Sequence, residues 1–323
     1  MPNFGKHHAK IAKTIMLTSF FSTSKPIHHV LMVGVAILLF IFKMLVVPHP
    51  GASQLGFLYP MLSFLVFLFS MAVLNFIVKR NGLTKQGTYV PLAFVFLCLA
   101  LPNVFLSGRI ILAMLFVLLA FRRIISIRSQ REIKKKIFDA SLWLGVASLF
   151  YFWAILFIVP LFIAITTYAF KDYKNWMIPL TALACLALFA LVYGLYLDDL
   201  RSFLEGYVEW PSYNFTAYSS PGLILPFSII LTLFIWCASR YLILMGKAQR
   251  KMKPLYFMIL ITAVIALFIA AVLSPIRNGA ELYLLIPFLA ILISRYIEKS
   301  KSQWFKEMML WLIILLPIAS LFL

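Results

Sequence analysis

Residues 137–170 read IFDASLWLGVASLFYFWAILFIVPLFIAITTYAF, 34 consecutive positions in which Asp139 is the sole charged side chain. A helix rises about 1.5 Å per residue, so one helix of this length would reach about 51 Å. The hydrocarbon core of a bilayer is only about 30 Å thick. Two short helices that turn near Ser148 to Trp153 fit the stretch better than one long one. A surface this apolar needs lipid around it, so the stretch predicts a membrane hairpin.

Outward from this hairpin the same pattern repeats. Apolar runs fall at 29–47, 57–78, 89–106, 110–127, 137–151, 153–170, 176–197, 222–245, 255–273, 281–297 and 305–323. About 20 largely apolar residues are needed to cross the hydrocarbon. The count is about eleven membrane segments. It becomes nine if 110–127, with Arg122 and Arg123 at its end, lies on the membrane surface and 137–170 does not turn back. The chain of 323 residues is 63% hydrophobic and 12% charged, with a mean hydropathy of +1.00. Soluble domains are about 25% charged, so a cytosolic enzyme, a disordered chain and a secreted disulfide scaffold are all excluded. Cys98, Cys185 and Cys237 sit inside apolar runs and read as small apolar residues. The predicted fold class is all-α, a polytopic transmembrane helix bundle. Residues 1–28 form a basic cytoplasmic tail or interfacial segment, and 29–323 form a single integral membrane domain. No cleavable signal peptide is expected.

The net charge of +19 follows from topology. Most Lys and Arg fall in alternate short loops, as the positive-inside rule requires of cytoplasmic segments. Alternation holds for eleven or nine spans and fails for ten. It places the N-terminus in the cytoplasm and the C-terminus on the opposite, periplasmic side. Nucleic acid is not an expected partner, because the cations are not gathered on a folded, water-facing surface.

The opposite face differs in chemistry. Its longest loop, about 198–221, carries Asp198, Asp199, Arg201, Glu205 and Glu209 among Tyr207, Trp210, Tyr213 and Tyr218; a second loop, 274–281, reads SPIRNGAE. Arg109, Arg201 and Arg277 run against the charge rule. An arginine fork matches phosphate oxygens, so these three are candidate lipid-phosphate ligands. Asp198 and Glu281 are candidate catalytic acids that would act as general base toward an acceptor hydroxyl. The plainer alternatives are interface-belt aromatics and local ion pairs, such as Arg201 with Asp198 or Glu205. Lys43, one turn from the end of its span, reads as a snorkelling cation or a site. Asp139 suits a helix N-terminus, and Ser141, Gly145 and Ser148 form a small-residue packing stripe. Nucleotide-binding loops, zincin motifs and nucleophile elbows are missing. His7, His8, His28 and His29 lie across the membrane from His49, which excludes a shared iron site. No metal and no cofactor are expected.

From about Met16 onward the chain resembles an uncharacterised family of bacterial polytopic inner-membrane proteins. The resemblance rests on TSFFSTSKPIHHV (18–30), FRRIISIRSQ (121–130), FDASLWLGVASLFYFWAILF (138–157) and NGAELYLLIPFLAI (278–291). In architecture it also resembles the C-type, polyprenyl-phosphate-dependent glycosyltransferases, through two short helices after a basic loop and the spacing of Gly145 to Ser148. That likeness implies extracytoplasmic sugar transfer and an acidic residue in the first outer loop. Here this loop reads PHPGASQLG (48–56) and has no acid, so a base would come from Asp198 or Glu281.

Three classes of function stay open: a glycosyltransferase-like protein acting on polyprenyl-phosphate-linked sugars at the periplasmic leaflet, a non-catalytic membrane subunit of an envelope assembly complex, and a lipid or solute transporter. The expected partners are membrane lipid, a polyprenyl-phosphate substrate and envelope proteins.

Overall fold

Helices that are apolar on every side must be enclosed by protein or by lipid, and this chain uses both solutions. A computed structural model describes residues 17–46, 54–85, 87–196 and 206–322. Among them the elements are helical, with no strand: α1 (Leu17–Phe21), α2 (Pro26–Val46), α3 (Gln54–Asn81), α4 (Tyr89–Leu99), α5 (Gly108–Ser126), α6 (Ile133–Phe150), α7 (Ile158–Tyr168), α8 (Lys174–Tyr196), α9 (Pro221–Gly246), α10 (Lys253–Phe268), α11 (Ile286–Lys299) and α12 (Gln303–Phe322). A π-turn, Ile269–Leu273, extends α10.

Among the described residues seven helical segments are long and apolar enough to cross a membrane: Pro26–Leu45, Leu58–Asn81, Gly108–Ser129, Lys174–Tyr196, Pro221–Gly246, Lys253–Leu273 and Gln303–Phe322. Length and composition thus support seven of the eleven expected segments. The other four, 89–106, 137–151, 153–170 and 281–297, correspond to shorter or more charged helices.

The short helices lie inside. Every residue of α4 is buried, as is α11 from Ile286 to Ile297, and the two pack on each other. Three long apolar helices line the outside, with only 17% of the apolar window buried in α8 and 28% in α2 and α12. A helix facing lipid must match the hydrocarbon thickness, whereas one enclosed by protein need not. Phenylalanines fill the space between α2, α3 and α4. Phe40 stacks on Phe64 at 4.3 Å, Phe67 on Phe94 at 5.2 Å, and Phe105 meets all of Phe40, Phe64 and Phe67 edge-on.

The hairpin expected in 137–170 forms. Helix α6 stops at Tyr151, whose backbone is extended (φ −149°, ψ 102°), and a 3-10 stretch, Phe152–Phe157, leads into α7. Gln130, just before α6, donates from Nε2 to the Tyr168 carbonyl at the end of α7 over 2.7 Å. Lys134 pairs with Asp172 at 3.0 Å. The chain therefore returns to the level from which it started. The segment 110–127, for which a surface position was the alternative, is a continuous helix buried along most of its length.

Two local expectations change. Lys43 does not snorkel: it is buried, and its Nζ donates to the Leu99 and Leu101 carbonyls. It thereby closes the C-terminal end of α4, where a cation suits the helix dipole. Asp139 lies beyond the first turn of α6 and pairs with Arg123 on α5 at 3.0 Å. The small-residue stripe behaves as expected at Gly145, where a Cβ would meet Leu186 Cδ2 of α8 at 2.6 Å. His49 lies outside the described residues.

Candidate functional site

The loops at the two ends of the bundle have opposite composition, so we refer to the basic end and the aromatic end. At the aromatic end the segments 206–220 and 274–285 meet, which chain order alone does not reveal. Ser212 N donates to the Ser274 carbonyl at 3.1 Å. The junction is held by Arg277, a buried residue. Its Nε donates to the Ser212 carbonyl at 2.7 Å, Nη1 to the Ala270 carbonyl, and Nη2 to the Val272 carbonyl at 3.1 Å. Ala270 and Val272 belong to the π-turn, where the usual ladder is interrupted and carbonyls need other donors. The guanidinium also lies 5.0 Å from the Phe215 ring centroid.

Glu281 sits one short 3-10 turn further on and has no exposed surface. Its Oε1 accepts from the Tyr218 hydroxyl at 2.6 Å. Its Oε2 is buried and has no partner among the described residues. Burial raises the Glu281 carboxyl above its ordinary range and outweighs the pull of the Tyr218 hydroxyl and of nearby Arg277. Gly279 permits the turn between these two residues. Its φ of +91° is in the left-handed region, and a Cβ there would approach Leu223 Cδ1 at 2.9 Å.

Arg109 occupies a different setting. Its side chain is 72% exposed, and the guanidinium pairs with Glu209 at 3.4 Å. The Glu209 carbonyl accepts from Trp153 Nε1 at 3.0 Å, which places this ion pair above the turn of the α6–α7 hairpin. Beside it the Tyr207 hydroxyl lies 3.0 Å from Ser148 Oγ, and the Tyr207 ring meets Phe152 edge-on at 5.3 Å. Below the two hydroxyls an apolar groove of about 390 Å³ runs between α6 and α8, lined by Gly145, Leu149, Leu183, Leu186 and Ala187. Leu149 and Ala187 remain exposed, so the groove opens on the flank of the bundle.

Of the five residues singled out from the sequence, Asp198 and Arg201 lie outside the described residues. Arg277 and Glu281 share one junction, and Arg109 stands in the neighbouring ion pair. Tyr218, Ser148 and Tyr207 complete the arrangement. The sequence shows Tyr207 and Tyr218 only as loop aromatics and Ser148 only as part of a packing stripe. A serine that ends such a stripe at a hairpin turn was the available signal. Among the described residues no group of three or more His, Cys, Asp or Glu is placed to hold a metal ion.

No curated protein and no solved structure matches the chain at a significant level. A model built for a family of unknown function, DUF6427, matches residues 16–322, and the chain belongs to that family.

Proposed function

We propose that this membrane protein takes the hydrocarbon chain of a lipid-linked substrate into the groove between α6 and α8 and handles its polar head at the aromatic end. The observation that carries this reading is the geometry of the groove. An apolar channel open on the bundle flank ends at two hydroxyls, Ser148 and Tyr207, and the Arg109–Glu209 pair lies next to them. Apolar walls with a few convergent polar groups are the usual form of a small-molecule site. In the finer form of the proposal the substrate is a polyprenyl-phosphate-linked sugar, and the protein is glycosyltransferase-like and acts at the periplasmic leaflet of a bacterial inner membrane. The chain then crosses that membrane eleven times, with its N-terminus inside. Arg109 and Arg201 grip the phosphate, and Asp198 serves as the base. Arg277 and Glu281 hold the shape of the junction between the segments 206–220 and 274–285.

The test is lipid analysis of the purified protein combined with groove variants. Wild type retains a long-chain lipid phosphate that is enriched over the bulk membrane. Ala187→Phe, which fills the groove from its open side, and Arg109→Gln, which removes the exposed cation, both reduce that retention. A wild-type lipid complement identical to the bulk membrane would overturn the reading.

A second reading, a non-catalytic subunit of an envelope assembly complex, draws on a separate observation. All three nitrogens of the Arg277 guanidinium donate to protein carbonyls, and Glu281 is sealed from solvent. It predicts co-purifying proteins and a function indifferent to substitution at Arg109.

A further inference from the structure

At the basic end, the C-terminal ends of α3 and α5 and the connection from α5 to α6 enclose a pocket of about 640 Å³. Six cations line it: Arg80, Arg122, Arg123, Arg128, Arg131 and Lys136. The one acid in its wall is Glu132.

The charge rule accounts for cations at this end but not for how the acids are distributed. Glu132 faces Lys135 at 2.8 Å, Asp139 pairs with Arg123 at 3.0 Å, and Asp172 pairs with Lys134 at 3.0 Å. Each neighbouring acid is already taken. Lys136 is buried and directs its ammonium to the Ser126 carbonyl at 2.9 Å and to Ser129 Oγ at 2.6 Å. Arg122 lies over the Phe76 ring at 4.6 Å, and Arg128 donates to Met252 Sδ at 3.3 Å. Among the described residues Arg80, Arg122, Arg128 and Arg131 have no carboxylate partner. Four guanidiniums line one open volume, and among the described residues no carboxylate partner offsets their like charge. The planar fork of arginine suits phosphate oxygens best. Phe76, exposed on the flank of α3, extends the wall of the pocket toward the place where lipid lies.

We infer that this pocket binds a phosphate-bearing anion with two or more negative charges, supplied either by a lipid headgroup of the adjacent leaflet or by a soluble phosphate compound. Basic pockets between transmembrane helices recognise such headgroups by the same chemistry. This inference is independent of the function proposed for the aromatic end.

The experiment uses the full chain in non-ionic detergent with two probes. Cardiolipin binding is read by native mass spectrometry, and inorganic pyrophosphate binding by titration calorimetry. Wild type binds at least one probe, more weakly as ionic strength rises. Arg80→Gln combined with Arg131→Gln weakens binding by about tenfold or more, and Arg122→Gln weakens it in the same direction. The charge-matched control, Lys171→Gln with Lys174→Gln, stays within about twofold of wild type. Cardiolipin binding that pyrophosphate does not displace assigns the site to a lipid headgroup; displacement assigns it to a soluble phosphate. The inference fails if neither probe binds, if the pocket variants bind like wild type, or if the control loses as much as they do. Thermal melting checks that each variant is folded, and Arg122→Gln alone decides should the double variant not fold.

Discussion

Arg277 at the aromatic end and the arginines at the basic end carry the same group in opposite circumstances. Arg277 is buried, and its donors close on the carbonyls of Ser212, Ala270 and Val272. Arg80, Arg122, Arg128 and Arg131 surround open volume, and among the described residues none of them pairs with a carboxylate; Glu132, the one acid in the wall, faces Lys135 instead. The difference comes from what the neighbouring backbone offers. A π-turn and a loop leave carbonyls in need of donors, whereas the ends of α3 and α5 stand apart around a space. The same cation is a structural fastener in the first setting and a ligand-seeking group in the second.

The sharpest way to break this comparison is Arg277→Met. It strands buried carbonyls and is expected to lower stability by about 3 kcal/mol or more, seen as a large fall in melting temperature in detergent. Arg277→Lys restores only part of this, because a single ammonium cannot reach three carbonyls in a fork. An unchanged melting temperature would show that the guanidinium fastens nothing. Next in size is Gly279→Ala, at about 1–2 kcal/mol, because alanine must adopt a left-handed backbone against Leu223.

Glu281→Gln probes the same junction through pH. A carboxyl whose folded value is raised by burial contributes most below its ordinary value of about 4.3, and the contribution declines as pH rises through the raised value. Wild type should therefore lose stability over that window, while the glutamine variant, which still accepts from Tyr218, should not. Melting temperatures measured across pH check the sign. A variant that becomes relatively weaker toward neutral pH would reverse the assignment. The smallest effect belongs to the basic end, where Arg80→Gln and Arg131→Gln should each change stability by no more than about 0.5 kcal/mol. A loss as large as that of Arg277→Met would mean that these cations also fasten the fold.

Much of the architecture is readable from residue order, because hydropathy is a local property. The 34-residue stretch at 137–170 announces its own turn, and Tyr151 breaks the helix within the expected interval. Gly145 announces a close helix contact and makes one. Lys43 was less legible. A lone lysine near a span end fits snorkelling equally well, and only the arrival of Leu99 and Leu101 beside it shows a helix cap. The candidate site was legible in its chemistry and not in its assembly. Arg277 and Ser212 stand 65 positions apart, and Tyr218 and Glu281 stand 63 apart; nothing in their local surroundings pairs them.

The amino-acid order by itself determined the medium and the secondary structure, because apolar backbone in hydrocarbon must satisfy its hydrogen bonds internally and the helix does so within one segment. Tertiary structure decided how fully each helix is enclosed: α4 and α8 are both strongly apolar, yet packing buries every residue of the first and leaves most of the second exposed. It also decided which arginines are partnered. A guanidinium takes its role from whichever carbonyl, carboxylate or open space packing brings within about 3 Å.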